Sequence, residues 1–595
     1  MKDNKIQIYK TRTNILLSVF IFILTLVIAR FFYLQIIQGN ELKELREKNI
    51  NAFEYIYPKR GRILSKDGIV LAEDRKVFSL AIDIEQKPSE QSINKLADLF
   101  YEKINVENLR IKVENSIRFR KSEIVIEKLT QEDLAKYLVG GSDITGFSVI
   151  EGYERQYNPH PSIFHVLGHM GFINSSDVNY FSPRINDYSA KLWSKVGKSG
   201  LERVYEEKLQ GQHGKRFFQR NARGDRRVIT STSPFKEGEE LSISINFKAQ
   251  KLAYDLMNER KGSIVVIDLL DFSIPVAIST PSISANDLRD ISSLQYQDLL
   301  NDPARPLFNR AFMGLYPPAS TIKPLLTIFA LNNKYTNWEE TIFDDGFFRF
   351  EEEERVFNAW REGGHGVTDL EKALVESSNP FFMNLSIRYE KDIFVEFLKS
   401  SSFGSKLCED CYPHQFSPLI DDDWKYKNFG KELYKGDFIN LGVGQGYMLT
   451  TPLHLSLISG ILAKRGEYEL PYLVAKKQNK LSISEDLTIE DWNKLHSSLI
   501  DVIYSPNGTG YRINAGELKL AGKSGTAQVV DINSREEYDE VRTNPLLRDH
   551  AIFIGFAPYD NPRYSIAVIV ENGESGGRVA GPIAKEVLEG LLNDS

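Results

Sequence analysis

The sequence contains very little cysteine. Only two of its 595 residues, Cys408 and Cys411, are cysteines. One pair excludes a disulfide framework, and a structural zinc site needs about four ligands, of which His414 would be a third and no fourth is evident. The surroundings also lack the thioredoxin-like βαβ pattern that a redox-active pair requires. The two cysteines are therefore interpreted as either a local disulfide or two free thiols.

An excess of positive charge is absent as well. The formal net charge is −7 and the isoelectric point about 5.9, whereas a nucleic-acid-binding protein usually shows a strong basic bias. This balance argues against nucleic acid as a partner. Apolar residues make up 42% and charged residues 26%, which is ordinary for a globular protein. A chain of this length is too long for a single core, so two or three domains are expected.

Long apolar runs are absent except for one near the N-terminus, at residues 14–38. At about 1.5 Å per residue, a helix there covers the roughly 30 Å hydrocarbon layer of a membrane. Four basic residues precede the run, namely Lys2, Lys5, Lys10 and Arg12. By the positive-inside rule, residues 1–13 form a cytoplasmic tail and the chain beyond the run lies outside. A cleaved signal peptide is the rival interpretation, but no small-x-small cleavage site follows the run, so a retained single-pass anchor is favoured.

The pattern of the outer part changes near residue 236. Residues 39–235 are polar and irregular and are interpreted as a pedestal, in which Asp67-Gly68 predicts a hairpin. Residues 236–595 contain predicted strands at 241–246, 262–268, 551–557 and 564–570, and predicted helices at 247–260 and about 582–592. This arrangement predicts an α+β domain, in which both ends of the segment complete one antiparallel sheet flanked by helices.

The first motif with chemical content is Ser320-x-x-Lys323, which follows Pro317-Pro318. A spacing of three places the two side chains on one face of a helix. A serine hydroxyl is a weak nucleophile, but a lysine amine can take its proton when burial or nearby positive charge lowers the amine pKa. The prolines suit the start of a helix, so Ser320 is predicted near a helix N-terminus, where backbone N–H groups can stabilise an oxyanion. Alone the motif is weak, and Ser92-x-x-Lys95 repeats its spacing by chance.

The second motif is Ser377-Ser378-Asn379. A hydroxyl and an amide two residues apart, Ser377 and Asn379, can face a cleft from one turn. There they can relay a proton and hold an amide of a substrate. As a bare pattern this is very weak, because Ser-x-Asn is common in loops.

The third motif is Lys523-Ser524-Gly525-Thr526. Small residues allow another chain to approach a strand edge closely. Lys523 can bind a carboxylate, Ser524 and Thr526 can hydrogen-bond the same group, and the N–H of Thr526 can be a second oxyanion donor. Lys198-Ser199-Gly200 repeats the pattern in the pedestal and is interpreted as a look-alike.

The chain carries these three motifs in this order within one predicted domain, and in this it resembles the class B penicillin-binding proteins. Longer blocks extend the resemblance over nearly the whole chain: Pro58-Lys-Arg-Gly-Arg-Ile-Leu, His165-Val-Leu-Gly168, Gly200-Leu-Glu202, Leu209-Gln-Gly211, Leu441-Gly-Val-Gly-Gln-Gly-Tyr447, Thr451-Pro452 and the block from His550 to Pro558. The Gly-Gln-Gly-Tyr block and the Val-Glu-Asn-Gly that ends at Gly573 favour the elongation type of the family over the division type.

The chain departs from the family pattern in three places. Ser524 stands where a threonine is usual, which keeps the hydroxyl. Ala319 stands where the family usually has glycine, which is expected to be a mild change. The segment from Cys408 to Trp424 does not resemble the family, so the local loop and any partner contact there are left open.

The resemblance implies a penicillin-binding/β-lactamase-like fold with D,D-transpeptidase activity. Ser320 would attack the D-Ala–D-Ala amide of a peptidoglycan stem peptide, with Lys323 as the base. Ser377 and Asn379 would relay the proton and orient the acyl-enzyme. Lys523, Ser524, Gly525 and Thr526 would hold the terminal carboxylate of the donor, and an amine from a neighbouring stem would then take the acyl group.

The resemblance also implies partners and a location. No metal or organic cofactor is needed, and β-lactams would acylate the same serine. A membrane glycan polymerase of the SEDS class would contact the anchor and pedestal, in the bacterial cytoplasmic membrane with the catalytic domain in the periplasm. His365, in Gly363-Gly-His-Gly366, is interpreted as a loop residue, because the serine–lysine mechanism leaves it no obvious role.

Three alternatives remain open at this point. A division-type transpeptidase shares every motif. A D,D-carboxypeptidase or β-lactamase would use the same acylation residues with water as acceptor, although the long pedestal and anchor argue against a free β-lactamase. A non-catalytic sensor or scaffold that binds β-lactam or cell-wall peptide is disfavoured by the short N-terminal tail, which holds no signalling domain.

Overall fold

A computed structural model describes residues 2–38, 51–83, 86–119, 122–181, 195–220, 226–289, 291–350, 355–476, 480–483, 486–530 and 540–593. The chain forms two units. The first comprises Met1–Lys59, Arg75–Glu154 and Gly211–Gly238, and the second comprises Arg60–Asp74, Arg155–Gln210 and Glu239–Ser595. Each unit consists of several separate segments of the chain, and the segments of the two units follow one another in turn. This division therefore does not test the predicted domain boundary at residue 235, which stays a prediction.

The second unit is built on a five-stranded sheet. Its strands, in chain order, are β1 (Gly262–Asp268), β2 (Val276–Thr280), β3 (Ala521–Ala527), β4 (His550–Ala557) and β5 (Tyr564–Val570). Their spatial order is β2-β1-β5-β4-β3, and every neighbouring pair is antiparallel. The predicted strands at 262–268, 551–557 and 564–570 are confirmed, as is the prediction that both ends of the segment complete the sheet.

Helices cover both faces of this sheet. Four helices pack on it, namely α1 (Phe247–Met257), α4 (Pro452–Ala463), α5 (Ile489–Tyr504) and α6 (Gly581–Asn593), whereas α2 (Lys323–Asn332) packs against α4 and α3 (Asn379–Ser386) packs against neighbouring short elements. Successive side chains of a strand point to opposite faces. Accordingly, Ile264 and Val266 share a core with α1 and α6, whereas Val265 and Ile267 share a core with α4. Full burial of each such side chain contributes about 1.5–3 kcal/mol.

Two predicted elements end earlier than expected. The helix predicted at 247–260 ends at Met257, because Asn258 and Glu259 have positive φ angles of 45° and 64°. The strand predicted at 241–246 is wrong beyond Leu241–Ser242. There the backbone N–H groups of Ile243, Ser244 and Asn246 donate to Leu64, Leu473 and Pro275, so no single partner strand exists. The helix predicted near 582–592 is confirmed by α6.

The other elements of the second unit are short. Its remaining helices are Phe164–Leu167, Ser175–Phe181, Gly200–Val204, Glu206–Gln210, Ser293–Asn301, Arg310–Met313, Leu370–Val375, Lys391–Ser400, Asp422–Phe429 and Asp437–Leu441. Its remaining strands are Ile63–Leu64, Met170–Phe172, Lys195–Gly197, Leu241–Ser242, Ile342–Asp344, Phe347–Phe350, Arg355–Asn358, Gly366–Thr368, Glu467–Tyr468 and Leu481–Ser482. The hairpin predicted at Asp67-Gly68 is confirmed, since Ile63 pairs with Ala72 and Leu64 with Val70.

A buried ionic cluster joins two of the sequence blocks that are far apart in the chain. Arg60 Nε donates to Glu202 Oε2 at 2.7 Å, and Arg155 Nε donates to Glu202 Oε1 at 2.7 Å. Arg60 also donates to Glu206 at 2.8 Å. Removing one partner of such a buried pair costs about 3–5 kcal/mol, because the other charge is left uncompensated. Arg60 and Glu202 stand in two of the blocks that carry the resemblance, so these blocks are joined by buried ion pairs.

The first unit contains the N-terminal helix and smaller elements. Its helices are Lys2–Phe32, continued by a π-helical turn at Tyr33–Ile37, and Glu90–Leu99, Val106–Phe119 and Gln131–Gly140. Its strands are Asn51–Ile56, Ile124–Ile126, Gly214–Arg220 and Arg226–Ser233, and strands Val70–Ile82 and Phe147–Tyr157 belong partly to each unit. The helical segment Lys10–Ile37 is long and apolar enough to cross a membrane, in agreement with the predicted anchor.

Candidate active site

Ser320 lies on a turn that leads into a buried helix. A 3-10 turn at Ala319–Ile322 precedes α2, whose first residue is Lys323. This confirms the prediction that Ser320 stands near a helix N-terminus. Ser320 is partly exposed, whereas the Lys323 side chain is fully buried. The motif therefore presents its hydroxyl at the surface and keeps its amine below it.

Ala319, next to Ser320, has a backbone conformation that favours glycine. Its φ angle is +50°, and its N–H donates to the carbonyl of Gly444 at 2.8 Å. A left-handed conformation costs an L-residue about 1–2 kcal/mol. The expectation that alanine is a mild replacement here was therefore wrong in conformational terms: the contact with Gly444 holds this residue in a strained position directly before the serine.

The amine of Lys323 contacts the second motif directly. Nζ lies 3.0 and 3.2 Å from the carbonyl oxygens of Ser377 and Ser378, 2.8 Å from Asn379 Oδ1 and 3.4 Å from Ser377 Oγ. Burial, together with the nearby positive charge of Lys523, lowers the pKa of Lys323 well below its usual value. A buried amine with a lowered pKa can accept a proton near neutral pH.

The Ser377-Ser378-Asn379 motif forms a tight turn at the start of α3. Ser377 has a φ angle of +61°, which is uncommon for a residue other than glycine. Ser378 caps α3 by accepting a hydrogen bond from the N–H of Phe381, and Asn379 is the first helical residue. The turn thus brings the Ser377 hydroxyl and the Asn379 amide to the same amine, that of Lys323.

The third motif occupies β3, which is an edge strand of the sheet. A methyl group on Gly525 would lie 2.9 Å from Thr321 Cγ2 and 3.2 Å from the carbonyl oxygen of Pro318, so this strand lies directly against the turn that carries Ser320. Lys523 is fully buried, and burial lowers its pKa to about 7. Thr526 is exposed at the edge of the strand. All three predicted motifs therefore meet at one place.

Two residues that the sequence did not single out contact the third motif. The Ser524 hydroxyl donates to Thr509 Oγ1 at 2.8 Å, and Gln445 Nε2 donates to the carbonyl of Thr526 at 3.4 Å. Gln445 belongs to the Gly-Gln-Gly-Tyr block and Thr509 to the glycine-flanked segment Gly508-Thr-Gly510. Glycine-rich segments beside polar residues are the signal that would have indicated them.

The two look-alike motifs are occupied by other contacts. Ser92 bonds with Ser89 and Thr145, and Lys95 bonds with Asp143. Lys198 bonds with Asp177. Each of these lysines is thus neutralised by a carboxylate rather than buried next to a serine.

Cys408 and Cys411 form a disulfide, which resolves the alternative left open by the sequence. Among the described residues, Cys408, Asp410 and Cys411 are the only group of three potential metal ligands lying close together, and both cysteines are bonded to each other. The Asp410 carboxylate accepts the N–H groups of Leu473 and Val474 at 3.1 and 2.7 Å. The loop is therefore held by a covalent bond and by a buried carboxylate.

His365 lies in the loop before the strand Gly366–Thr368, as predicted, but its side chain is fully buried. Its Nδ1 atom lies 2.7 Å from Asp344 Oδ2. The same carboxylate oxygen accepts the hydroxyl of Ser378 at 2.6 Å. The histidine is thus connected to the second motif by one intervening carboxylate, which the sequence did not indicate.

Family comparison agrees with this fold. The family described as "Penicillin binding protein transpeptidase domain" matches residues 262–589, and the "Penicillin-binding Protein dimerisation domain" matches residues 55–243. The chain therefore belongs to the penicillin-binding proteins that carry a serine-type transpeptidase domain.

Individual relatives define the type more narrowly. Peptidoglycan D,D-transpeptidase MrdA of Haemophilus influenzae is 30% identical over 100% of this chain and 93% of that protein, and MrdA of Escherichia coli K12 is 31% identical over 95% and 91%. The structure of a complex between PBP2 and MreC from Helicobacter pylori aligns with a TM-score of 0.79 at 26% identity, covering 92% of this chain and 99% of that one. Pseudomonas aeruginosa PBP2 in complex with WCK 5153 aligns with a TM-score of 0.67 at 25% identity, covering 91% and 97%. The chain is a class B protein of the PBP2 type, and its apolar N-terminal helix makes it a membrane-anchored one.

Proposed function

We propose that this chain is a peptidoglycan D,D-transpeptidase that cross-links stem peptides through an acyl-enzyme on Ser320 during cell-wall elongation. One observation carries the proposal above the others. The Lys323 amine is fully buried, has a lowered pKa, and is held by the Ser377–Asn379 turn next to the turn that bears Ser320. A neutral amine in this position is the base that a serine nucleophile needs.

Acylation follows from this geometry. Ser320 Oγ attacks the carbonyl carbon of the penultimate D-Ala while Lys323 takes the hydroxyl proton. The backbone N–H groups of Ser320 and Thr526 stabilise the oxyanion. The C–N bond then breaks, the Ser377 hydroxyl relays a proton to the departing amine of the terminal D-Ala, and an ester on Ser320 remains. A β-lactam acylates the same oxygen through its ring amide.

Deacylation reverses the proton movements. The amine of a neighbouring stem peptide attacks the ester carbonyl and loses a proton to Lys323 by way of Ser377. The ester C–O bond then breaks, Lys323 returns a proton to Ser320 Oγ, and the new amide is released. Asn379 orients the acyl group with its side-chain amide. The donor reaches this position along the edge strand β3, where Lys523, Ser524, Gly525 and Thr526 hold its terminal carboxylate.

The location and partners are proposed on the same basis. We propose that the N-terminus lies in the cytoplasm and the catalytic part in the periplasm. The positive-inside rule supports this orientation, because Lys2, Lys5, Lys10 and Arg12 precede the apolar run. We also propose residues 39–235 as a pedestal domain and residues 236–595 as the catalytic domain. Through the anchor and pedestal the chain would contact a SEDS-class glycan polymerase, which supplies the strands that it cross-links.

The experiment supplies the purified full-length chain with a stem pentapeptide ending in D-Ala–D-Ala and with a second stem that carries a free amine. Mass spectrometry measures free D-Ala, the cross-linked dimer and the hydrolysed tetrapeptide. We expect D-Ala and dimer in comparable amounts and a long-lived penicillin adduct. Hydrolysed peptide without dimer would indicate a carboxypeptidase. Rapid turnover of penicillin would indicate a β-lactamase, and the absence of D-Ala release would indicate a binding protein without activity.

The low pKa of Lys523 predicts that donor binding weakens at alkaline pH. Lys523 attracts a carboxylate only when protonated, and its pKa is about 7 in the free site. The dissociation constant of a D-Ala–D-Ala peptide, measured by calorimetry on the Ser320→Ala chain to prevent turnover, should therefore rise about tenfold from pH 6 to pH 8. A peptide with an amidated C-terminus is the control and should show no such rise. Equal pH dependence for both peptides would remove Lys523 from this role.

A further inference from the structure

A buried carboxylate lies behind the second motif and has no part in the proposed reaction. Asp344 is the last residue of the strand Ile342–Asp344, and its side chain is fully buried. Oδ1 accepts the N–H of Gly346 at 3.0 Å. Oδ2 accepts the hydroxyl of Ser378 at 2.6 Å and lies 2.7 Å from Nδ1 of His365. Every contact of this carboxylate is thus a hydrogen bond within the protein.

This carboxylate is ionised at neutral pH. Burial raises the pKa of Asp344, but the hydrogen bonds from Ser378, His365 and Gly346 outweigh it and leave the pKa below its usual value. An ionised carboxylate only accepts hydrogen bonds, so Nδ1 of His365 carries the proton that it shares with Asp344. Burying a charge without hydrogen-bond partners costs a large amount of free energy, so the ionised carboxylate of Asp344 requires its three donors.

Ser378 connects this carboxylate to the reacting groups. It stands between Ser377 and Asn379, and its carbonyl accepts a hydrogen bond from Lys323 Nζ at 3.2 Å. Its hydroxyl both donates to Asp344 and accepts the N–H of Phe381 at 3.3 Å. Ser378 therefore holds the centre of the turn through its hydroxyl, while the Lys323 amine contacts the carbonyl oxygens of the same turn.

The turn requires such support because of its conformation. Ser377 has a φ angle of +61°, and residues in such sparsely populated conformations persist only where their surroundings over-determine them. Its carbonyl accepts from Lys323 Nζ at 3.0 Å and from Trp360 Nε1 at 3.3 Å. Trp360 is exposed, whereas Asp344 and Ser378 are buried. The hydrogen bond between these two residues is therefore the buried contact that supports the turn.

We propose that Asp344 and His365 are positioning residues, whose hydrogen-bonded pair holds Ser378, and through it the Ser377–Asn379 turn, against Lys323. The proposal rests on the proposed function, in which Lys323, Ser377 and Asn379 take part in acylation. It assigns to His365 the role that the serine–lysine mechanism alone leaves open. His365 orients the carboxylate, and the carboxylate orients the turn.

Other charged groups surround this pair and bear on its pH dependence. Glu376 Oε2 lies 4.0 Å from Nε2 of His365 and is itself bonded to Arg361 at 2.8 Å. Lys372 donates to the carbonyl of His365. On the side of the reacting groups, Asp344 raises the pKa of Lys323, which burial and Lys523 lower. Loss of the Asp344 charge should therefore move the acid limb of acylation to lower pH.

The test measures the second-order rate of acylation by a fluorescent penicillin from pH 5 to pH 10, together with the unfolding midpoint of each variant. Asp344→Asn and Ser378→Ala should acylate at least about tenfold more slowly than the wild type at the plateau, since a misplaced catalytic group costs on the order of a hundredfold. Asp344→Asn should also shift the acid limb downward. Ser378→Thr retains the hydroxyl and should recover most of the rate.

Two matched controls separate positioning from stability. Ser386→Ala removes a buried hydroxyl on α3 that bonds only within its helix, and Asp268→Asn removes a buried carboxylate that pairs with Arg563 at 2.8 Å at the end of β1. Both should keep the wild-type rate and pH profile even where the midpoint falls. If Asp344→Asn cannot be isolated folded, Ser378→Ala and Ser378→Thr decide the matter by themselves.

The outcomes distinguish this inference from the proposed function. Wild-type rates and an unchanged profile in Ser378→Ala would overturn the positioning role, and so would an equal loss of rate in the two controls. In either case the wild type would still carry its adduct on Ser320. A wild-type chain without that adduct would instead overturn the proposed function itself.

Discussion

Replacement of Ser320 by alanine is expected to abolish both the penicillin adduct and cross-linking. The hydroxyl oxygen is the atom that forms the ester, and neither Lys323 nor Ser377 can replace it, because both act on protons. Removal of a catalytic serine lowers turnover by on the order of a million-fold in a well-studied protease, and a loss of that size is expected here. Since Ser320 is partly exposed, the free energy of unfolding should change by only about 0.5 kcal/mol.

The look-alike motif provides the matched control for this experiment. Ser92→Ala removes a serine with the same spacing to a lysine, but Ser92 bonds to Ser89 and Thr145 and Lys95 bonds to Asp143. It should retain the full adduct. Peptide mapping by mass spectrometry after labelling locates the modified residue. An adduct on the Ser320→Ala chain, or on any peptide without Ser320, would refute the assignment of the nucleophile.

The sequence predicted those parts of the site that depend on local spacing. Ser320 and Lys323 share one short helical segment, and Ser377 and Asn379 share one turn, so their relation is fixed by residues near them in the chain. The sheet was predictable for a similar reason, because three of its strands, β1, β4 and β5, consist mainly of β-branched and other apolar residues. Such runs identify buried strands without knowledge of their partners.

Partners that are distant in sequence were not predictable in this way. Asp344 meets Ser378 across 34 residues, and Thr509 meets Ser524 across 15. Both contacts are set by tertiary packing, and a lone aspartate or threonine leaves no periodic signal. The error about Ala319 has the same origin, because its positive φ depends on Gly444, which stands in another sequence block.

Replacement of Lys323 by methionine is expected to have the second largest effect. Methionine keeps the length of the side chain but cannot accept a proton from Ser320. General-base catalysis contributes about 10²- to 10⁴-fold, so acylation by penicillin should slow by that factor. The variant also removes the amine from the carbonyl oxygens of Ser377 and Ser378. Ser377 keeps its bond from Trp360, whereas a buried carbonyl left unsatisfied at Ser378 would cost about 1–3 kcal/mol.

The pH profile identifies the loss as that of a base. The pKa of Lys323 is lowered well below its usual value in the folded chain, and only the neutral amine accepts a proton. Acylation of the wild type should therefore fall as the pH drops below this lowered pKa, and the residual rate of Lys323→Met should lack that fall. The unfolded chain binds a proton at a higher pH than the folded one, so wild-type stability should rise with pH across the interval between the two pKa values. Lys323→Met should lose this contribution.

A variant of another buried lysine, Lys425, shows whether the loss of rate in Lys323→Met comes from catalysis or from lower stability. Lys425 is buried, pairs with Asp437 and lies on a different helix, Asp422–Phe429. Lys425→Met should lower the unfolding midpoint, because a buried carboxylate loses its partner, while acylation retains its rate and its acid limb. Stopped-flow absorbance with a chromogenic β-lactam measures the rates of all three chains. An acid limb that survives in Lys323→Met would assign the base to another residue, and Lys523, whose pKa is about 7, would be the next candidate.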